Sequence, residues 1–299
     1  MEGAGGIEKM GMYRNVQRAR REWPRAVNKR RILPAPHRPH PETWEDHGLF
    51  AAWLGHSSVL LKIDGVTLLT DPVFSRRIGI GMGPLTLGLR RIVEPALAFQ
   101  DLPKIDVILL SHAHMDHFDI RSLRRLENRG TTVITAPRTK DLLRVRRYRH
   151  VQELAWGERT CAGPLEIRAF PVKHWGARMR TDSYRGYNGY TIETSRYRLL
   201  FGGDTAATTS FRSLKKSRPF DLALMPVGAY NPWIHNHCTP EQAWQMAHDA
   251  GCECFLPIHH QTFTLSREPY LEPIERVLEA AGRSSDRVAV QRIGQEFHI

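Results

Sequence analysis

One stretch, Ser111-His-Ala-His-Met-Asp-His-Phe-Asp119, constrains the fold of this chain more than any other. It follows residues 105–110, an apolar run rich in β-branched side chains, which predicts a short buried strand. Three histidines and one aspartate come directly after that run: His112, His114, Asp116 and His117. Alternate side chains of an extended segment share a face, so the first two histidines can bind one ion, while the aspartate and third histidine, on a turn, can face a second. A solvated polar loop is the alternative interpretation, but imidazole and carboxylate are zinc ligands, and we predict a metal site.

Three further residues of the same types each follow a predicted strand, where a rigid scaffold can hold a ligand. They are His174, Asp204 and His259. Any one of them alone is more often structural, but together with the first stretch they predict two neighbouring sites. The carboxylate of Asp204 would then bridge two ions about 3.5–4 Å apart. Two Zn²⁺ ions are expected, although iron and manganese also occupy such nitrogen and oxygen sites.

The chain of 299 residues can form one large domain or two small ones. Its hydrophobic content of 41% and charged content of 25% are ordinary for a globular protein in water. No apolar run reaches the ~18 residues of a membrane span, and the N-terminus lacks the apolar core of a signal peptide. Four cysteines are too few for a disulfide framework. We therefore expect a cytoplasmic enzyme.

The formal net charge of +12 comes largely from two basic segments, residues 8–39 and 121–149. A solvated surface that keeps the protein soluble is one interpretation. The other is attraction to a phosphate-bearing substrate or to an anionic membrane surface, which would place the protein peripherally at the inner face of the membrane. Nucleic acid is not expected as a partner, because the sequence has no RNA- or DNA-binding motif. The sequence does not predict an oligomeric state.

Residues 1–47 and 48–299 differ in composition and predict two parts. The first is a basic, Pro-rich N-terminal arm with one short helix near residues 16–23, and the second is one domain of strands interleaved with helices. Predicted strands cover residues 49–54, 58–63, 66–70, 105–110, 131–136, 165–172, 189–194, 197–201, 220–227, 255–258 and 288–293. Predicted helices cover residues 120–128, 139–145 and 269–281, and a fourth begins at the capping box of Thr239-Pro-Glu-Gln242. Residues 76–100 lack clear periodicity and predict a long functional loop.

The metal stretch is one of a series of motifs that stand in a fixed order between residues 49 and 265. They are Trp53-Leu-Gly-His-Ser-Ser-Val59, Leu69-Thr-Asp-Pro-Val-Phe-Ser75, Leu102-Pro-Lys-Ile-Asp106, Ser111-His-Ala-His-Met-Asp-His117, His174-Trp175, Gly203-Asp204-Thr205, Pro226-Val-Gly-Ala-Tyr230, Thr239-Pro-Glu-Gln-Ala243 and Pro257-Ile-His259. In these motifs the sequence resembles the metallo-β-lactamase superfamily. Within it, the resemblance is to the branch that includes the N-acylphosphatidylethanolamine-hydrolysing phospholipase D. This implies an α/β fold, a four-layer αββα sandwich with the site at one edge of its two sheets.

The resemblance also implies how the ligands divide between two zinc ions. One ion would be held by His112, His114 and His174, the other by Asp116, His117 and His259, with Asp204 bridging the two. His260 is the alternative to His259 as a ligand.

Three other residues receive roles from the resemblance. His56 and Asp71 would orient ligands from behind, with hydrogen bonding in local turns as the alternative. His237 would contact the substrate or protonate the leaving group, and a role in the turn before the helix is equally open.

The implied activity is hydrolysis of a phosphodiester, of phospholipase D type, on a lipid or small-molecule substrate. A hydroxide that bridges the metal ions would be the nucleophile, and Asp116 would bind one ion and orient that hydroxide. Arg178, Arg180 and Arg185 are candidates to bind a substrate phosphate, with a solvated surface as the alternative. The apolar insertion, residues 78–99, could contact acyl chains.

Departures from the branch leave the substrate open. Ala206-Ala207 stands where the branch has Gly and an aromatic residue, and His260-Gln-Thr-Phe263 replaces W-G-T-F. A lactonase or a β-lactam hydrolase with the same metal site is therefore the main alternative. A nuclease comes third, because no dedicated nucleic-acid domain is evident.

Overall fold

Two β-sheets form the centre of the fold in a computed structural model, which describes residues 31–82, 85–179 and 181–299. In chain order the described strands are β1 (Leu49–Gly55), β2 (Ser58–Ile63), β3 (Val66–Thr70), β4 (Arg77–Met82), β5 (Leu85–Arg90), β6 (Val107–Leu109), β7 (Thr132–Thr135), β8 (His150–Glu153), β9 (Arg159–Ala162), β10 (Leu165–Phe170), β11 (Gly189–Glu193), β12 (Arg198–Phe201), β13 (Phe220–Pro226), β14 (Cys252–Ile258) and β15 (Glu296–His298). The first sheet has the order β15-β1-β2-β3-β6-β7-β8 and the second β14-β13-β12-β11-β10-β9. Strands β4 and β5 pair only with each other.

The two sheets pack as the layers of a sandwich. Their central strands are buried along nearly their whole length, as at Leu60 in the first sheet and Leu199 in the second. A strand that is covered on both sides is a continuous apolar run, which is the pattern that predicted these elements. The Tyr190 hydroxyl, from β11, donates to the carbonyl of Leu110, just after β6, at 3.0 Å and so joins the two sheets. The α/β sandwich expected from the sequence is confirmed.

Helices lie against this core. The described α-helices are α1 (Ile120–Arg125), α2 (Pro240–Ala250) and α3 (Glu272–Ala281), and 3₁₀ helices cover Pro41–Thr43, Phe99–Asp101, Lys140–Leu142, Val145–Arg147, Thr209–Leu214 and Gly282–Arg287. Helix α2 packs on β13 and β14 and also contacts α3. It begins as predicted: the Thr239 hydroxyl accepts from the Gln242 amide, and the Gln242 side chain accepts from the Thr239 amide. Among the described residues, no helix is long and apolar enough to cross a membrane.

The predicted loop over residues 76–100 was wrong in its first half. Strands β4 and β5 form an antiparallel hairpin there, with Gly79 opposite Gly88 and Ile80 opposite Leu87. Apolar residues alternate with Gly or Thr along both strands, so a period of two was present in the sequence. Glycine is usually a signal of turns and loops, and its repetition concealed that alternation.

Three smaller predictions were also wrong. Residues 139–145 form no single helix but lie in two separate 3₁₀ turns. Residues 288–293 contain only an isolated bridge between Val288 and Phe255, and the last strand is β15, which pairs with β1. Strands β8 and β9 were not predicted, because each has only four residues and few apolar side chains.

Part of the segment that the sequence assigns to an N-terminal arm belongs to the compact unit Leu33–Ile299. The Leu33 amide donates to the carbonyl of Ile92 at 2.8 Å, and the Trp44 indole N–H donates to the Glu296 carboxylate at 2.7 Å. The helix predicted near residues 16–23 lies outside the described residues.

Candidate metal centre

Loops at the ends of several strands converge at one edge of the two sheets. Strand β3 is parallel to β6, and β12, β13 and β14 are parallel to one another. Parallel strands bring their C-terminal ends to the same edge, where side chains distant in sequence can meet. The loop after β3 carries Asp71, the loop after β6 carries residues 112–117, and Asp204 and His259 follow β12 and β14.

The first group of converging side chains is His112, His114, His174 and Asp204, whose potential ligand atoms all lie within 4.8 Å of one another. The His112 Nε2 atom is 2.8 Å from Nδ1 of His114, and Nε2 of His174 is 3.2 Å from that same atom. Three imidazole nitrogens that crowd together in this way can face a single cation. The structure thus brings together the residues expected at the first ion.

The second group is His56, Asp116, His117 and His259, which also lie within 4.8 Å of one another. The Asp116 Oδ2 atom is 3.4 Å from Nε2 of His259 and 3.6 Å from Nε2 of His117. These are the three residues expected at the second ion, and His56 joins them from the loop after β1.

Asp204 lies between the two groups. Its Oδ2 atom is 3.1 Å from Nε2 of both His117 and His259. The same oxygen is 3.8 Å from Nε2 of His174 and 3.9 Å from Nε2 of His112. A single buried carboxylate oxygen therefore faces histidines of both groups, as a bridging ligand would.

Several buried polar atoms of this cluster make no hydrogen bond of acceptable geometry among the described residues, although Nε2 of His117 and Nε2 of His259 each lie 3.1 Å from Asp204. They are Nε2 of His114, Nε2 of His117, Oδ1 of Asp204, and both ring nitrogens of His259. A buried polar atom without a partner is costly, and interiors contain few of them. Imidazole nitrogen and carboxylate oxygen are the donor atoms that zinc and related ions accept. The donor set therefore fits metal ions.

The cluster also concentrates negative charge. Burial alone would raise the pKa of Asp204, but the imidazoles of His117 and His259 hold that pKa well below its ordinary value. Burial would lower the pKa of His259, yet the carboxylates of Asp204 and Asp116 raise it to about 9. On the other side, burial lowers the pKa of His174 to about 3, which leaves a neutral imidazole, the form that binds metal. Positive charge is thus favoured between the two carboxylates.

Asp71 lies behind the ligands and connects two of them. Its Oδ1 accepts from the Ser111 amide at 2.7 Å, and its Oδ2 lies 2.7 Å from Nδ1 of His117 and 2.6 Å from the Ser111 hydroxyl. The Ser111 hydroxyl in turn is 2.8 Å from Nδ1 of His112. Burial raises the pKa of Asp71, and the hydrogen bonds from His117 and Ser111 oppose that rise. The sequence predicted that Asp71 orients ligands from behind. It did not predict that Ser111, the residue directly before His112, connects Asp71 to that histidine.

His56 supports Asp116. Its Nε2 atom is 3.1 Å from Oδ2 of Asp116, and its backbone amide donates to the Thr262 hydroxyl at 2.6 Å. Burial lowers the pKa of His56 to about 3. A neutral imidazole that donates through Nε2 can hold the carboxylate in place, which favours the expected orienting role.

His237 lies beside the cluster and His260 lies apart from it. The Nδ1 atom of His237 is 3.8 Å from Oδ2 of Asp204, and its ring centroid is 5.1 Å from that of His174. Burial lowers the pKa of His237 to about 4. His260 instead stacks on Trp53, with ring centroids 4.5 Å apart. The structure therefore places His259, and not His260, with the ligands.

The three arginines expected at a substrate phosphate have different surroundings. The Arg178 Nη1 atom donates to the carbonyls of Ala113 and Phe118, at 3.1 and 2.8 Å, and so ties down the loop that carries four of the ligands. Arg185 is buried, and its guanidinium donates to the carboxylates of Asp141 and Asp182. These contacts pair the Arg185 guanidinium with protein carboxylates, and its contact with a substrate phosphate stays a prediction. Arg180 lies outside the described residues.

Comparison with known sequences identifies relatives. The family described as "Beta-lactamase superfamily domain" matches residues 67–260. A protein of Mycobacterium tuberculosis that is named only as uncharacterized is 34% identical over 260 residues, or 83% of this chain and 68% of its own. The N-acyl-phosphatidylethanolamine-hydrolyzing phospholipase D 1 of Caenorhabditis elegans is 30% identical over 259 residues, or 81% of this chain and 72% of that protein.

Solved structures show the same fold. A metallo hydrolase of the hyperthermophilic archaeon Ignicoccus hospitalis matches with a TM-score of 0.63 and 21% identity, and it covers 85% of this chain and 99% of its own. An isothiocyanate hydrolase from Delia radicum gut bacteria matches with a TM-score of 0.67 and 16% identity, and it covers 83% of this chain and 98% of its own. At these identities the likeness is one of fold.

Proposed function

This chain belongs to the β-lactamase superfamily and is a metal-dependent hydrolase, and on that premise we propose that it hydrolyses phosphodiesters with two zinc ions, as a phospholipase D-like enzyme. The likeness to the phospholipase D of Caenorhabditis elegans, at 30% identity over 81% of this chain, supports a phospholipid as substrate. The same premise accounts for the metal-ligand clusters at the edge of the sheets.

One observation carries the two-metal part of the proposal. The Oδ2 atom of Asp204 lies within 4 Å of histidine nitrogens from both groups, and its Oδ1 atom is buried without a hydrogen-bond partner among the described residues. A carboxylate in that position can serve two ions at once. A site for one ion would require only one of the two histidine sets.

The residues that would hold the ions follow from the two groups. His112, His114 and His174 would hold one, Asp116, His117 and His259 the other, and Asp204 would bridge them. When bound, two such ions supply Lewis acidity and lower the pKa of a coordinated water towards neutrality.

The chain's own residues position the substrate around that centre. Asp116, held by His56, keeps its carboxylate directed into the site. His237 is neutral at pH 7 because burial lowers its pKa, and its Nδ1 atom has no hydrogen-bond partner among the described residues. In the tautomer that carries its proton on Nδ1, His237 would donate that proton to the leaving-group oxygen of the diester as the P–O bond breaks, and it would regain a proton from water. Trp175 lies with its ring 4.8 Å from that of His114 and stays half exposed, which gives the substrate an aromatic wall.

The experiment compares three chemistries on the zinc-loaded full chain. Bis(p-nitrophenyl) phosphate, a lactone and a chromogenic cephalosporin are offered in parallel, and bound zinc is counted by elemental analysis. Phosphodiester turnover with two zinc ions per chain is the expected result. Turnover of the lactone or the cephalosporin without the diester would contradict the proposed substrate class and favour the alternative hydrolases.

Two variants control this experiment. Asp204→Asn should lower both the zinc count and the turnover, because an amide cannot bridge two cations as a carboxylate does. Asp286→Asn makes the same chemical change at an exposed position and should change neither quantity. A full zinc count of two in Asp204→Asn would refute the bridging role.

A further inference from the structure

The hairpin β4–β5 has one apolar face. Ile78 pairs with Leu89 across the two strands, and Ile80 pairs with Leu87. Side chains two positions apart share a face of a strand, so these four side chains lie on the same face. The intervening positions lie on the other face, which combines Gly79, Gly81 and Gly88 with Arg77, Thr86 and Arg90.

Most of that apolar face is exposed to solvent. Ile78, at the base, is buried with Val73 and Phe263. Its cross-strand partner Leu89 is 42% exposed, and farther from the base Ile80 is 50% and Leu87 70% exposed. Single exposed apolar residues are common, but a group of three on one face indicates an interaction surface.

A basic groove lies beside the hairpin and reaches the loop that carries the candidate metal ligands. It has a volume of about 490 Å³ and lies between β4, which contributes Arg77 and Ile80, and α1, which contributes Arg121 and Arg124. Its lining continues to Met115, which stands between two metal-ligand positions in the sequence. The single carboxylate in the lining, that of Asp119, already accepts from the Ser75 amide and the Ser122 hydroxyl. The groove therefore presents net positive charge next to the apolar face.

We propose that the hairpin β4–β5 docks the protein on an anionic lipid surface. Ile80, Leu87 and Leu89 would enter the apolar region just beneath the headgroups, while Arg77 and Arg124 would contact the phosphates above it. This arrangement matches the layers of a bilayer leaflet, which has anionic groups outside and hydrocarbon within. The combination of an apolar tip with a basic border is the charge complementarity that selects this partner.

A second copy of the chain fits this surface less well. Symmetric pairing of two hairpin faces would bring each copy's Arg77 and Arg124 towards those of the other, and like charges repel. The apolar area that three side chains offer is also small beside the extended interfaces of stable dimers.

Docking in this orientation would set the groove against the headgroup layer. A phospholipid could then reach the loop of Met115 along the groove with its phosphate among the arginines. This part rests on the proposed function, since it takes the substrate to be a phospholipid, whereas the docking itself requires only the hairpin and the arginines beside it.

The test measures co-sedimentation of the zinc-loaded full chain with vesicles of phosphatidylcholine alone and of phosphatidylcholine mixed with phosphatidylglycerol. The wild type should bind the anionic vesicles, and less so as salt is raised. Leu87→Asp should weaken that binding by at least about tenfold, because a charge replaces an apolar group that would enter hydrocarbon. Val145→Asp makes a similar change at a side chain that is 41% exposed in a different element, and it should bind as the wild type does.

A second pair of variants tests the basic border. Arg124→Glu should lower binding to anionic vesicles and reduce its salt dependence. Arg129→Glu changes the net charge by the same amount at an exposed position beyond α1 and should have a smaller effect. Equal losses in both variants would mean that net charge alone attracts the vesicles, which would overturn the role of the groove.

The remaining outcomes separate docking from catalysis. Leu87→Asp should hydrolyse soluble bis(p-nitrophenyl) phosphate as the wild type does. The docking proposal is overturned if the wild type binds no vesicles or if Leu87→Asp binds them as tightly as the wild type. It is also overturned if size-exclusion chromatography with light scattering shows that the wild type is a dimer and Leu87→Asp a monomer. Vesicle binding that depends on Leu87 in a protein without diester turnover would leave the docking in place and refute the proposed function.

Discussion

Replacing Asp71 with asparagine should weaken metal binding, because it changes which ring nitrogen of His117 carries the proton. The carboxylate accepts from the Ser111 amide through Oδ1, and from the Ser111 hydroxyl and Nδ1–H of His117 through Oδ2. An amide side chain of the same shape has one oxygen and one NH₂ group, so it cannot accept at both positions, and its NH₂ group opposes the donors at one of them. His117 can escape by moving its proton to Nε2, but Nε2 is the atom that faces Asp204 and the second ion.

The magnitude follows from the burial of this contact. Asp71 and His117 are both fully buried, so solvent does not screen the lost hydrogen bond. A hydrogen bond to a charged group contributes about 1.5–3 kcal/mol, which corresponds to a loss of roughly 10- to 150-fold in affinity. We therefore expect Asp71→Asn to bind zinc one to two orders of magnitude more weakly, measured by competition with a chromogenic chelator.

Asp106→Asn is the matched control for this change. Asp106 also accepts a backbone amide, that of Thr67, at 3.1 Å beside the same sheet, but it does not belong to the metal cluster. The control should keep the zinc affinity of the wild type. An Asp71→Asn protein that folds and retains wild-type zinc affinity would refute the reasoning that Asp71 sets the tautomer of His117.

Three further changes test other parts of the site and the fold. Arg178→Ala removes the Nη1 donor that holds the carbonyls of Ala113 and Phe118, so it should lower the zinc content of the protein. A raised KM for a diester at full zinc content would instead support the phosphate contact expected from the sequence. His237→Ala should reduce kcat by about 100-fold or more with the zinc count unchanged, and loss of zinc would identify His237 as a ligand. Thr239→Ala should lower the free energy of unfolding by about 1 kcal/mol through loss of the helix cap, measured by urea denaturation, and an unchanged midpoint would contradict that contribution.

The metal cluster could be predicted closely because its signal is local. His112, His114 and His117 stand within one short stretch, and the distant partners, Asp204 and His259, each follow an apolar run that could only be a strand. The capping box of Thr239 and Gln242 could also be predicted, because its two residues are only three positions apart in the sequence. Patterns of this kind need no knowledge of which strands are neighbours.

The sequence did not predict contacts whose partner is set by the tertiary fold. No local pattern indicates that Asp141, from a distant segment, lies against the Arg185 guanidinium. Strand β15 has only three residues, and its position depends on pairing with β1 at the other end of the chain. In both cases the contact joins residues that are far apart in the sequence, so a local sequence pattern cannot predict it.

The hairpin β4–β5, as the proposed docking surface, is structurally separate from the candidate metal site. It is inserted between β3, whose end carries Asp71, and β6, whose end carries the metal-ligand stretch, so its base is fixed by the strands that build the site. Its outer residues, such as Leu87, pair only within the hairpin and contribute nothing to either main sheet. Changes there can therefore alter which surface or substrate the protein meets while Asp71 and the ligands stay in place. A relative that retains the seven metal-binding residues but lacks an apolar hairpin should accordingly retain zinc and lose vesicle binding.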